Sequence, residues 1–147
     1  MSCALNHYCY TSDEYKEPLD PDYLKAFSQL EILDLSRNSL GEWQDDRFAE
    51  NSHLKKLYLH SNRFSHITKG LIQSFARLTE IDFRYNNNLE CDQSIAEFFN
   101  LTLTVKTLNV VGWDQGQGYL CRNMTNYTQI TFKEYYDWYL EVIHYFI

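Results

Sequence analysis

Three segments of the chain share one register: "LEILDLSRNSL" from Leu30, "LKKLYLHSNRF" from Leu54 and "LTEIDFRYNNN" from Leu78, each 24 positions after the last. At that period Leu30, Leu54 and Leu78 form a column. So do Leu33, Leu57 and Ile81; Leu35, Leu59 and Phe83; Leu24, Phe48 and Ile72; and Asn38, Asn62 and Asn86. The column Phe27, Asn51, Phe75 is broken by Asn51, which either loosens the convex side of its copy or pairs with local backbone. A unit this short cannot bury its own apolar face, so the copies must stack and share one continuous core. Three copies are close to the minimum for such a stack, and its ends need specialised caps.

The pattern L-x-x-L-x-L-x-x-N resembles the leucine-rich repeat family over residues 23 to 90. Membership implies an α/β fold: a short leucine-rich repeat solenoid with parallel strands on the concave face, an irregular or helical convex side, and a helical C-terminal cap. In such a fold the two leucines of each "LDL"-type segment point inward and the next copy pairs alongside. An Asn side chain offers both donors and an acceptor, so Asn38, Asn62 and Asn86 are read as structural, satisfying backbone groups inside the turn. The expected organisation is an N-terminal flank or partial cap over 1–22, three repeats over 23–90, and a C-terminal cap over 91–147.

After the third repeat comes "NNNLECDQSIAEFF", and later "GYLC". Extracellular leucine-rich repeat proteins, Toll-like receptors in particular, end in a module opening N-P-x-x-C-x-C, followed by a short helix and a third cysteine in a Y-L-C context. The chain resembles that module at Cys91 and Asp92, at Ile95, Ala96, Phe98 and Phe99 on the expected helix, and at Tyr119, Leu120 and Cys121. It departs from it where Gln93 replaces the second cysteine, where an asparagine replaces the usual proline, and where no fourth cysteine follows. The resemblance then implies that Cys91 pairs with Cys121. Cys3 and Cys9 are open to two readings: a small bridge left from an N-terminal cap, or, with His7, a set of zinc ligands. The latter lacks a C-x-x-C pair, so no metal is expected.

Sequons stand at Asn100, Asn123 and Asn126, which in a secreted chain are glycan sites. The start lacks the basic and apolar regions of a signal peptide, and no apolar run reaches the length of a membrane helix. Both facts fit a segment of a longer receptor, with any membrane contact made through parts outside this chain. The closing "TFKEYYDWYLEVIHYFI" spaces Phe132, Tyr136, Tyr139, Leu140, Ile143 and Phe146 for an amphipathic helix packed over the last repeat.

No nucleophile elbow, phosphate loop, zincin or dinucleotide motif is present, and "GWDQGQGY" reads as a loop, so neither catalysis nor a cofactor is expected. The formal charge of −7 disfavours nucleic acid and points to a basic partner. Residues between the leucines project from the concave face. Of these, Asp34, Tyr58, His60, Asp82, Arg84 and Tyr85 are the candidate partner contacts, Tyr and Arg being the types enriched at dominant contacts. The resemblance implies a noncatalytic, extracellular or cell-surface module of a Toll-type receptor that takes a protein ligand or co-receptor, and such receptors dimerise. A small intracellular adaptor in the cytoplasm is the alternative, and a purely architectural spacer a third reading.

Overall fold

The computed structural model describes residues 24–41, 51, 53–113 and 118–146, together with the strand backbones Ser2–Ala4 and Tyr8–Tyr10. One sheet carries six strands in chain order: β1 (Ser2–Ala4), β2 (Tyr8–Tyr10), β3 (Ile32–Asp34), β4 (Lys56–Tyr58), β5 (Glu80–Asp82) and β6 (Asn109–Val110). β1 runs antiparallel to β2; from β2 to β6 every pairing is parallel. Leu33 lies beside Leu57, and Leu57 beside Ile81, so the 24-residue period is the step from one rung to the next.

The sheet extends past the three visible repeats at both ends. Cys9 pairs with Leu33 and thus occupies the leucine column one period earlier, while Val110 pairs with Ile81 and adds a rung from the cap. Elsewhere the N-terminal flank departs from the repeat pattern, which is why the sequence does not advertise that rung.

The inward leucines, with Phe64, Phe75 and Phe83, are buried in one core that continues into the cap through Phe98, Tyr119 and Phe132. Burying each such side chain stabilises by roughly 1.5–3 kcal/mol, which is the force that stacks the rungs. At the convex side of the third repeat, helix α1 (Lys69–Phe75) starts where the Thr68 hydroxyl accepts from the Leu71 N–H at 3.3 Å. Asn51 is buried, and its amide donates to the carbonyls of Leu24 and Phe27, both at 3.0 Å. Asn51 does pair with backbone, but with that of the preceding repeat, 24 and 27 positions away, rather than with local backbone.

In the cap, α2 (Gln93–Thr104) begins where Asp92 accepts from the Ser94 N–H at 2.9 Å. A hairpin follows, β7 (Leu120–Arg122) with β8 (Gln129–Thr131), and then α3 (Phe132–Phe146). Thr131 and Glu134 form a capping box: the carboxylate accepts from the Thr131 N–H at 2.7 Å, and the Thr131 hydroxyl accepts from the Glu134 N–H at 3.1 Å. Cys91 and Cys121 form a disulfide across a separation of 30 residues, and the strand backbones alongside bond from the Cys91 N–H to the Arg122 carbonyl at 3.0 Å.

The packed face of α3 is Phe132, Tyr135, Tyr136 and Tyr139, with Tyr136 stacked on Phe99 at 4.5 Å between ring centres. Leu140, expected on that face, is exposed. At about 100° per residue it stands about 80° round from Phe132, whereas Tyr135 and Tyr139 fall on the other side, and the bulkier rings set the rotation.

Candidate functional site

Strand alternation turns Leu33, Leu57 and Ile81 into the core and the residues on either side of them outward, giving two rows across the concave face. Ile32, Lys56, Glu80 and Asn109 lie side by side in the first; Asp34, Tyr58 and Asp82 lie side by side in the second. Ser36, His60 and Arg84 continue each rung, followed by Arg37, Ser61 and Tyr85. The last three share a left-handed backbone, with φ of 56°, 58° and 58°. A non-glycine residue adopts that conformation rarely. Here it is held by bonds between rungs: Arg37 N–H to the His60 carbonyl and Ser61 N–H to the Arg84 carbonyl, both at 2.9 Å, and Tyr85 N–H to the Gly118 carbonyl at 2.7 Å.

At the centre of the face, Glu80 collects three donors. The Tyr58 hydroxyl donates to Oε1, the Asn109 amide donates to Oε2 at 3.0 Å, and the Lys56 ammonium stands 3.6 Å away. The Tyr58 bond above all, then those of Asn109 and Lys56, hold the Glu80 carboxyl below its ordinary value. A fixed carboxylate and a Tyr ring thus bridge two rungs.

Asp82 and Arg84 behave differently from expectation. Asp82 is 4% exposed, and both its oxygens are taken by the Arg84 guanidinium, Nε to Oδ1 at 2.9 Å and Nη2 to Oδ2 at 2.7 Å. Within the chain Asp82 props Arg84. That bidentate pairing raises the pKa of Arg84, and the guanidinium lies over the Tyr85 ring at 5.8 Å. Gly112 and Gly118 of the cap lie against this arginine so closely that a Cβ on either would fall 2.9 Å from it. Arg84 is thus a joint between repeat and cap that shows one face to solvent.

Of the other expected contacts, Asp34 is half-buried and accepts from the Ser36 N–H at 3.0 Å, and His60 meets the Ser61 hydroxyl at 3.1 Å. Tyr85 is 44% exposed and is the large aromatic of this face most open to solvent. The structure therefore brings Lys56, Tyr58, His60, Glu80 and Tyr85 together as an accessible group. Lys56 and Glu80 were legible as one column of the face, 24 positions apart, but nothing in the sequence marked the Tyr58 and Asn109 bonds to Glu80.

The asparagine column forms a ladder. Asn38 donates to the Leu35 carbonyl at 3.0 Å, Asn62 to Leu35 at 2.8 Å and Leu59 at 3.0 Å, and Asn86 to Leu59 at 3.1 Å and Phe83 at 3.0 Å. Register places Cys3 opposite Cys9; their side chains, and His7, lie outside the described residues. Among the described residues no three His, Cys, Asp or Glu side chains converge as a metal site. Asn100 is exposed on α2, while Asn123 and Asn126 lie in the turn between β7 and β8, the first half-buried and the second exposed. Residues 114–117 of the glycine-rich stretch lie outside the described residues.

Residues 28–89 match the family described as Leucine rich repeat, so the concave face just described is the face of a leucine-rich repeat solenoid. The chain is 38% identical over 65 residues, 44% of its length, to oligodendrocyte-myelin glycoprotein from Homo sapiens. It is 32% identical over 114 residues, 76% of its length, to receptor-like protein EIX2 from Solanum lycopersicum. The matched stretches span 14% and 11% of those two proteins. Among the described residues no helix is long and apolar enough to cross a membrane.

Proposed function

We propose that the chain is a noncatalytic protein-binding module of an extracellular or cell-surface receptor-like protein, engaging a protein ligand or co-receptor through its concave face. The observation that carries this reading is the group Lys56, Tyr58 and Glu80, bonded to one another between two rungs, with His60 and Tyr85 beside it. These are large polar and aromatic groups on a sheet whose other side is core. Such preorganised aromatic and charged side chains are what dominant contacts are made of, because little freedom is left to lose on binding.

The Cys91–Cys121 bridge supports an oxidising compartment, as do relatives whose names call them a glycoprotein and a receptor-like protein. The cap spacing supports a Toll-type placement near the membrane-proximal end of an ectodomain; the two relatives support the coarser receptor-like reading. With an acidic chain, a ligand bearing a basic patch fits best.

The test is display of the module on a cell surface and titration with a panel of purified secreted and ectodomain proteins. Tyr58→Ala with Glu80→Lys should weaken a bound basic ligand about 30- to 1,000-fold, or roughly 2–4 kcal/mol. Glu141→Lys on the exposed side of α3 should leave binding within about twofold. Equal loss from both variants, or none from the first, removes the concave face from the reading.

A further inference from the structure

One apolar feature of the cap is unused by the solenoid and by the concave face. Between the β7–β8 turn and α3 lies a cavity of about 460 Å³, lined by Asn123, Met124, Asn126, Ile130, Tyr135 and Trp138. Trp138 is 54% exposed, and its ring lies 5.6 Å from that of Tyr135, so the two make a tilted aromatic floor. Met124 and Tyr127, on the turn, are also exposed. Large apolar side chains gathered beside a pocket are uncommon on a bare surface and call for something to cover them.

The turn holds two sequons, Asn123-Met124-Thr125 and Asn126-Tyr127-Thr128, and both asparagines line the pocket. They are not equivalent. Asn123 is half-buried, and its own backbone closes the turn, its N–H donating to the Thr128 carbonyl and its carbonyl accepting from the Tyr127 N–H, both at 2.8 Å. Asn126 is exposed, and its Oδ1 accepts from the Thr128 N–H at 3.1 Å and the Thr128 hydroxyl at 2.7 Å. Both bonds fall on the oxygen, leaving Nδ2 as the amide atom open to substitution at the mouth of the pocket.

We infer that Asn126 carries an N-linked glycan whose first sugars lie on Trp138 and Tyr135 and cover this pocket. The inference rests on the extracellular reading above. In the modification, Asn126 Nδ2 bonds to C1 of the reducing-end sugar of a polyprenyl-pyrophosphate-linked oligosaccharide. The C1–oxygen bond breaks, the lipid pyrophosphate leaves with the electron pair, and the amide nitrogen gives up one proton. The C–H face of the attached pyranose then meets the aromatic floor, and its hydroxyls face water, which matches an amphipathic ligand to a surface apolar below and solvated above. The same cover shields the side of the cap on which Cys91 also lies.

The experiment uses the full chain secreted from a eukaryotic host, with glycopeptide mass mapping and hydroxyl-radical footprinting of Trp138. Expected are a glycan at Asn126, and labelling of Trp138 several-fold lower in the parent protein than in Thr128→Ala and in Asn126→Gln. The two variants remove the sequon by different atoms, so a fold defect peculiar to one is recognised by the other. Secreted, disulfide-bonded protein with Asn126 bare overturns the inference and leaves the extracellular reading standing, whether or not Asn100 or Asn123 is modified. Trp138 equally labelled with and without the glycan overturns the seat. So does Trp138 protected in Asn126→Gln by self-association, since a second copy then occupies the pocket. Retention in the cell with Cys91 and Cys121 both free to alkylate overturns the extracellular reading itself.

Discussion

Removing single members of the asparagine ladder should destabilise the protein unequally, in an order set by what each leaves behind. Asn62→Ala deletes three bonds: two from its amide nitrogen to the Leu35 and Leu59 carbonyls, and one accepted by its Oδ1 from the Leu40 N–H at 3.1 Å. The two carbonyls retain Asn38 and Asn86 as donors, so each lost bond there costs about 1 kcal/mol. The Leu40 N–H loses its bond and is also left without the oxygen that served it, adding about 2 kcal/mol more, for a total of about 4 kcal/mol. Asn86→Ala deletes two bonds and leaves the Phe83 carbonyl without its ladder donor, which by the same values is about 3 kcal/mol. However, Asn86 Oδ1 is buried without a partner, and deleting it recovers about 1–2 kcal/mol, so the net loss is about 1–2 kcal/mol. Asn62→Ala should therefore be the more damaging by about 2 kcal/mol or more. Urea titration followed by circular dichroism measures both, provided the slopes match that of the parent protein. An Asn86→Ala loss equal to or above that of Asn62→Ala would refute this reasoning, as would losses below about 0.5 kcal/mol for both, the scatter of ordinary surface substitutions.

Three further outcomes are expected. Cys91→Ser with Cys121→Ser frees a loop of 30 residues and should lower stability by about 3–4 kcal/mol in the chain-entropy model, checked by denaturation against the disulfide-bonded parent protein. Gly118→Ala places a methyl 2.9 Å from Arg84 Cβ at a φ of +83° and should cost about 1–3 kcal/mol, read as a lowered thermal midpoint. Glu80 has a folded pKa below its ordinary 4.5, so the stability it contributes is present above pH 4.5 and is lost as pH falls through the lower folded value. Denaturation midpoints measured from pH 6 down to pH 3 should show a shallower decline in Glu80→Gln than in the parent protein.

The repeat array was readable because stacking imposes one rule on every copy: an apolar residue wherever a side chain enters the core, and an asparagine wherever the turn needs donors. Leu33, Leu57 and Ile81 obey it, and so their strand pairing followed from period alone. The added rungs did not show: Cys9 matches the column singly while its neighbours depart from it, and Val110 stands 29 residues after Ile81, off the 24-residue period. Asn51 was legible as an exception, but its purpose depends on the Leu24 and Phe27 carbonyls, which only the folded backbone brings within reach.

The concave face was readable as a set of positions, while the bonds among its side chains were not. Asp82 and Arg84 have the residue types of a binding pair, yet two residues apart on one rung they bond each other, and the cap glycines fix the arginine from the side. Lys56 and Glu80 share a column at the 24-residue period, but the hydroxyl of Tyr58 and the amide of Asn109 reach that carboxylate only in the folded chain. Likewise Trp138 reads as part of an amphipathic helix, and its place under the turn carrying Asn126 arises from the packing of α3 against the hairpin.

The extracellular role proposed above makes one plain demand on the thiols of Cys91 and Cys121, which the structure joins in the cap. The decisive measurement is peptide-resolved alkylation of the protein recovered from a secretory host, before and after reduction. The result expected is that both cysteines resist alkylation until reduced and appear as one linked peptide pair in the nonreduced digest. Native protein in which both alkylate freely would contradict the sealed cap and, with it, the extracellular receptor-like reading.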